Sequence, residues 1–161
     1  MLWDVALAFR ALCEMPEVDS SRTATVGISM GATLAYFFTA LTPSVACTAH
    51  LCALASVGPL VETGAHDLHG VCVVVPGLLP DHELPDVAAL VAPRPQFVCT
   101  GGADPLTPEL ASAPALSQLQ SAYSAAEAHA ELRILTDPVA GHTETPAFRS
   151  GLTDFLSEAL G

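Results

Sequence analysis

Lysine and asparagine are both missing from this 161-residue chain, and only five arginines stand against seventeen acidic residues, a formal net charge of −12. A chain this acidic has no basic surface with which to hold a phosphate backbone, so nucleic acid is excluded as a natural partner. Long apolar runs are missing too. No stretch approaches eighteen uninterrupted apolar residues, and Asp4 and Arg10 interrupt the N-terminal segment where a signal peptide needs an unbroken one. The expectation is a cytoplasmic protein with no membrane partner. Paired cysteine motifs are absent as well: Cys13, Cys47, Cys52, Cys72 and Cys99 are odd in number, form no CxxC and mostly sit in apolar runs. They read as free thiols in or near a core, with neither a disulfide framework nor a zinc site.

What is present is a hydrophobic fraction of 51%, enough at this length for one domain with one core. Neither repeats nor low-complexity tracts divide it, so residues 1–161 are expected to form a single domain. Apolar residues recur at helical spacing over 2–13, and Pro16 stops the pattern. "TATVGI" (23–28) is a short β-branched run, and "MGATLAYFFTAL" (30–41) has the length of a buried helix ended by Pro43. "VACTAHLCAL" (45–54) predicts a second strand. From 55 to 95 glycines and prolines predict loops and short helices, one near 86–91, with "VCVVV" (71–75) composed like a short strand. Strands over 95–102 and 131–137, a helix over 107–129 interrupted near Pro114, and a final amphipathic helix over 145–160 complete the pattern. Strands separated by helices imply right-handed crossovers, a mainly parallel sheet and helices on both faces. The fold class is α/β.

In such sheets functional groups gather at the carboxyl ends of strands, where the crossovers leave crevices. Ser29 follows the first strand, Asp104 the third and His142 the fourth. A serine hydroxyl is a poor nucleophile until a base takes its proton, and an imidazole suits that task. A carboxylate on the far ring nitrogen would fix the tautomer and stabilise the imidazolium. His142 is then the base and Asp104 the orienting acid, although Asp137 also ends a strand and lies nearer His142 in sequence. In Gly27-Ile28-Ser29-Met30-Gly31 the flanking glycines suit a strained turn that brings the chain close to itself, and the Met30 N–H would point at a developing oxyanion. Acid should suppress activity as His142 protonates.

The ordered set "GISMG" (27–31), "GGADPLTP" (101–108) and "GHTET" (141–145) resembles the nucleophile, acid and histidine segments of an α/β-hydrolase. The middle of the chain, with "APRP" (92–95) leading into the acid-bearing strand, is similar to the dienelactone hydrolase-like and acetyl xylan esterase-like branch. Dienelactone hydrolases carry cysteine at the elbow, so Ser29 favours the esterase side. The resemblance implies a cofactor-free carboxylic ester hydrolase for small or acetylated esters, acting through an acyl-enzyme. Catalytic roles fall to Ser29, Asp104 and His142, and Met30 lines the oxyanion hole.

The family pattern is broken at one end. Only 28 residues precede Ser29, whereas each strand-helix-strand unit takes about 30 or more. The expectation is an N-terminally truncated fold without the loop that supplies a second oxyanion donor. A bare apolar edge on the "TATVGI" strand also predicts a homodimer or higher oligomer. A catalytically weak or silent interaction module is the competing reading. His66, Asp67 and His69, with Asp81-His82-Glu83, are weighed as metal ligands and assigned none. Tyr36, Phe37 and Phe38 are assigned to the core, and Trp3 either packs on it or covers the exposed face.

Overall fold

In the computed structural model, which describes residues 1–70, 75–79 and 81–161, the sheet is built around "TATVGI" and three later strands. They are β1 (Ala24–Ile28), β2 (Cys47–Leu51), β3 (Gln96–Gly101) and β4 (Leu132–Asp137), all parallel and ordered β1-β2-β3-β4. β2 and β3 are buried along their whole length, as strands covered on both faces must be. β2 is shorter than expected. Val45 and Ala46 form the short link between the turn at Pro43 and Ser44 and the strand, their N–H groups held by Thr42 O and Thr23 O, and Cys52 leaves the extended conformation with φ 54°.

Helices α1 (Leu2–Cys13), α2 (Met30–Leu41), α3 (Val57–Thr63), α4 (Leu84–Ala89), α5 (Glu109–Ala125) and α6 (Pro146–Leu160) connect and cover the strands. Alternate strand residues divide between two cores, one on each face. Cys47, Ala49, Leu51, Phe97 and Cys99 meet Phe148 and Phe155 of α6. On the opposite face Val98 meets Tyr36 of α2, Ala88 of α4, and Ala115, Leu119 and Tyr123 of α5. Helices therefore lie on both sides of the sheet, as the alternating pattern implies.

Pro114 does not interrupt its helix. It lies inside α5, exposed, while Ala111, Ala115, Leu119 and Tyr123 keep the buried stripe in register. The carbonyl deprived of a donor belongs to Leu110, whose side chain is 70% exposed, so water can satisfy it. Tyr36 and Phe38 are core residues, Phe37 is partly buried, and Trp3 is exposed on α1. Residues 71–74 of the "VCVVV" run, with Cys72, lie outside the described residues. Among the described residues Cys13, Cys47, Cys52 and Cys99 are free thiols, and no helix is long and apolar enough to cross a membrane. β1 forms one edge of the sheet, and its Val26 and Ile28 stay 48% and 42% exposed on the face that α6 covers farther along.

The "APRP" segment has a structural task. Arg94 donates to the carbonyls of Thr39 (2.7 Å), Thr42 (3.0 Å) and Val45 (2.8 Å), capping the C-terminal end of α2 with a fixed fork of charge-assisted bonds. Arg94→Ala should lower unfolding free energy by about 2–4 kcal/mol, because buried carbonyls lose their donors. Arg94→Lys should regain less than half of that, since an ammonium cannot reproduce the fork. Urea midpoints measure both.

A second buried device ties β2 to β3 and α5. The Gln96 amide nitrogen donates to His50 Nε2 (2.8 Å), and Gln96 Oε1 accepts from the Tyr123 hydroxyl (2.9 Å). Complete burial pushes His50 down to about 3. Unfolded, it titrates near 6.5, so between these values the unfolded chain binds a proton that the folded chain refuses. Stability contributed by neutral His50 is therefore present above about pH 6.5 and is lost as pH falls toward 3. Between pH 7 and pH 5 this should remove about 2 kcal/mol, and His50→Gln should flatten the dependence, as read from denaturant midpoints.

Candidate active site

Ser29 is held on a sharp turn between β1 and α2, with φ 57° and ψ −127°. Its N–H donates to Leu51 O (2.9 Å), extending the β1–β2 ladder by one residue, while its carbonyl accepts from Ala32 N (2.9 Å) and Thr33 N (3.1 Å) to start the helix. The hydroxyl is thereby presented beyond the strand ends. The two glycines around it are not equivalent. A Cβ on Gly27 would stand 2.2 Å from the Gly31 backbone, whereas one on Gly31 meets nothing within 4 Å. The close approach expected at both positions holds at Gly27 alone, because only Gly27 faces the returning first turn of α2.

The loops after β3 and β4 meet above this turn. A Cβ on Gly101 would lie 2.5 Å from Ala140 O, and Ala103 N donates to that same carbonyl (2.9 Å), so the glycine lets the two loops touch. Asp104 and His142 are brought together by that contact. Asp104 Oδ2 accepts from His142 Nδ1 (2.8 Å), and Ser29 Oγ lies 2.8 Å from His142 Nε2. An ionised carboxylate can only accept, so the ring proton sits on Nδ1 and Nε2 is free to accept the serine proton.

Asp104 is 2% exposed and fixed by two further donors, Leu106 N (2.8 Å) and Thr107 Oγ1 (2.9 Å). The rival Asp137 turns away, its Oδ1 accepting from Val139 N (3.1 Å) and Ala140 N (3.2 Å) at the end of β4. Met30 is the first residue of α2 and has no carbonyl four residues back within the helix to which its N–H can donate. It lines the same cavity as Ser29, a space of about 120 Å³ that also touches Thr33, Cys52, Leu106 and His142. A separate cavity of about 840 Å³ lies between α5 and β4. A buried carboxylate, joined through a half-buried imidazole to a half-buried hydroxyl beside a small opening, can move a proton off the serine as the oxygen attacks an electrophile.

Among the described residues, those weighed as metal ligands form no group of three, although His66 Nε2 meets Asp67 Oδ1 at 3.3 Å. His66 Nδ1 pairs with Leu60 O (3.3 Å), and His69 Nε2 with Leu106 O (2.7 Å). Glu83 accepts from Val57 N (2.6 Å) and Gly58 N (2.9 Å), capping α3. Reading the sequence missed Cys52. Burial, followed by the charge of Asp104, pushes this thiol up to about 11, and its Sγ faces Thr143 O at 3.7 Å.

Structural comparison decides the fold. The chain superimposes with a TM-score of 0.79 on the catalytic domain of a glucuronoyl esterase from Hypocrea jecorina, at 20% identity over 99% of this chain and 50% of that one. It has an α/β-hydrolase fold. Acetyl xylan esterase 1 from Thermoanaerobacterium sp. JW/SL YS485 aligns with a TM-score of 0.67 at 20% identity, covering 99% of this chain and 52% of the other. Methylesterase BT1017 aligns with a TM-score of 0.74 at 25% identity, covering 96% and 33%. In sequence, the chain is 28% identical over 160 residues to the provisionally assigned hydrolase YtaP of Bacillus subtilis. No family model matches the chain. The chain spans about half the length of that curated relative, 53%, and the α/β-hydrolase sheet described above begins at the elbow strand.

Proposed function

We propose that this chain is a serine carboxylic ester hydrolase in which Ser29 is the nucleophile, His142 the general base and acid, and Asp104 the residue that orients and stabilises the imidazolium. The observation that carries the reading is the continuous relay from Ser29 Oγ through His142 to Asp104, with both hydrogen bonds 2.8 Å long. Esterases and hydrolases among the structural and sequence relatives support it.

Ser29 Oγ attacks the ester carbonyl while its proton passes to His142 Nε2. The tetrahedral oxyanion takes a hydrogen bond from the Met30 backbone N–H. His142 then returns the proton to the leaving alkoxide, leaving an acyl group on Ser29. Water then attacks the acyl carbon while its proton passes to His142, which returns that proton to Ser29 Oγ as the acyl–oxygen bond breaks and the acid is released. Asp104 is also held by the Leu106 N–H and the Thr107 hydroxyl, so it keeps the ring in place through both halves of the cycle. A cavity of about 120 Å³ suits a small acyl group such as acetyl.

Hydrolysis of p-nitrophenyl acetate, compared with the Ser29→Ala variant, tests the reading. Equal background rates in the two proteins would refute it.

A further inference from the structure

Cys52 has no part in the proposed ester chemistry, yet it directly follows β2 and faces the same small space. It is 1% exposed, adopts a left-handed backbone with φ 54°, and lines the cavity beside Ser29 and His142. Its Sγ, a carboxylate oxygen of Asp104 and a ring nitrogen of His142 all lie within 4.8 Å of one another. Thiolate, carboxylate and imidazole are the donors zinc takes, at about 2.0–2.3 Å. Ligand atoms at such distances around a tetrahedral centre stand about 3.3–3.8 Å apart, so closing the separations by up to about 1.0–1.5 Å would gather these three.

We propose that Cys52, Asp104 and His142 form a site for a thiophilic divalent cation of the zinc type, and that its occupancy reversibly stops hydrolysis at Ser29. The inhibitory half of this inference rests on the esterase reading; the binding half does not. Binding involves no change of oxidation state. The Cys52 thiol loses its proton to solvent and the thiolate donates to the cation. Where the cation bonds His142 Nε2, it uses the lone pair that would accept the Ser29 proton. Where it bonds Nδ1, the ring proton moves to Nε2, with the same consequence. One proton is released for each cation bound, so affinity should rise about tenfold per pH unit while the free thiol stays protonated.

Asp104 is well placed for this exchange. Leu106 N and Thr107 Oγ1 hold its carboxylate when the His142 N–H gives way to a cation. Three protein ligands leave a fourth position for water. Of the described thiols, Cys13, Cys47, Cys52 and Cys99, it is Cys52 that lines the cavity with His142.

Cobalt(II) serves as the spectroscopic probe, and zinc as competitor and inhibitor. The folded wild-type chain should develop a thiolate-to-cobalt charge-transfer absorption that zinc displaces, and Cys52→Ala, with circular dichroism matching wild type, should not. Zinc should slow p-nitrophenyl acetate hydrolysis by wild type at least about tenfold, with recovery on adding EDTA, and change the Cys52→Ala rate less than about twofold. Absence of the absorption in wild type, or its persistence in Cys52→Ala, overturns the site whatever the rates show. Should wild type and Ser29→Ala hydrolyse equally slowly, the esterase reading falls while the absorption still decides the metal site.

Discussion

Ser29→Ala is expected to lower p-nitrophenyl acetate hydrolysis by at least about 10³-fold, with no loss of folded structure by circular dichroism. The size follows from how such relays fail. Removing a member that acts as part of one unit costs about as much as removing them all, leaving only what binding and the oxyanion donor supply. Structure should survive because the Ser29 bonds that matter to the fold are made by its backbone, to Leu51 O, Ala32 N and Thr33 N. The hydroxyl touches His142. Alanine also tolerates the turn little worse than serine, since the positive φ of 57° penalises any Cβ alike. A residual rate within tenfold of wild type would move the nucleophile away from Ser29.

Much of this arrangement could be read before any coordinates, for identifiable reasons. Punctuation fixed α2: the strand run ends at Ile28, the turn residue is Ser29 and Pro43 closes the far end, so the observed Met30–Leu41 matches the expected span. Parallel topology did the rest for the site, because it sends every strand's carboxyl end to one edge and so gathers Ser29, Asp104 and His142 from positions 113 residues apart. What stayed hidden depended on packing with no local signature. Pro114 looked like a break, but its exposure and the solvent-facing Leu110 remove the penalty that a buried proline would incur. Gly31 looked like a packing requirement, though open space faces it. Cys52 was one apolar-run cysteine among five, and only the left-handed turn at the end of β2 aims it at Asp104. The glycine at 101 gave no signal either, since its contact is with a loop almost forty residues later.

Gly27→Ala should be the most damaging substitution to stability. The added methyl would sit 2.2 Å from both C and O of Gly31 and 2.5 Å from Ala32 N, all backbone atoms that cannot rotate aside as a side chain would. Relief requires separating β1 from the first turn of α2. That turn also carries the Ser29 carbonyl bonds that begin the helix, while Thr25 Oγ1 on the same strand packs against Thr39 (2.6 Å) and Thr48 (2.8 Å). Strand and helix therefore resist moving apart, and the strain should exceed the about 1–3 kcal/mol usual for overpacking, reaching about 3–5 kcal/mol. A domain of this size has about 5–15 kcal/mol in total, so the variant should unfold at much lower urea and show little folded protein at 37 °C. Gly31→Ala is the paired control. Its methyl meets nothing within 4 Å and replaces glycine in a helix, where alanine is favoured by about 1 kcal/mol. Equal destabilisation of the two variants would mean that backbone freedom, and not contact between strand and helix, selects glycine at position 27. A large loss at 27 beside a neutral or stabilising change at 31 places the constraint on the strand side of the elbow, where the serine's presentation is set.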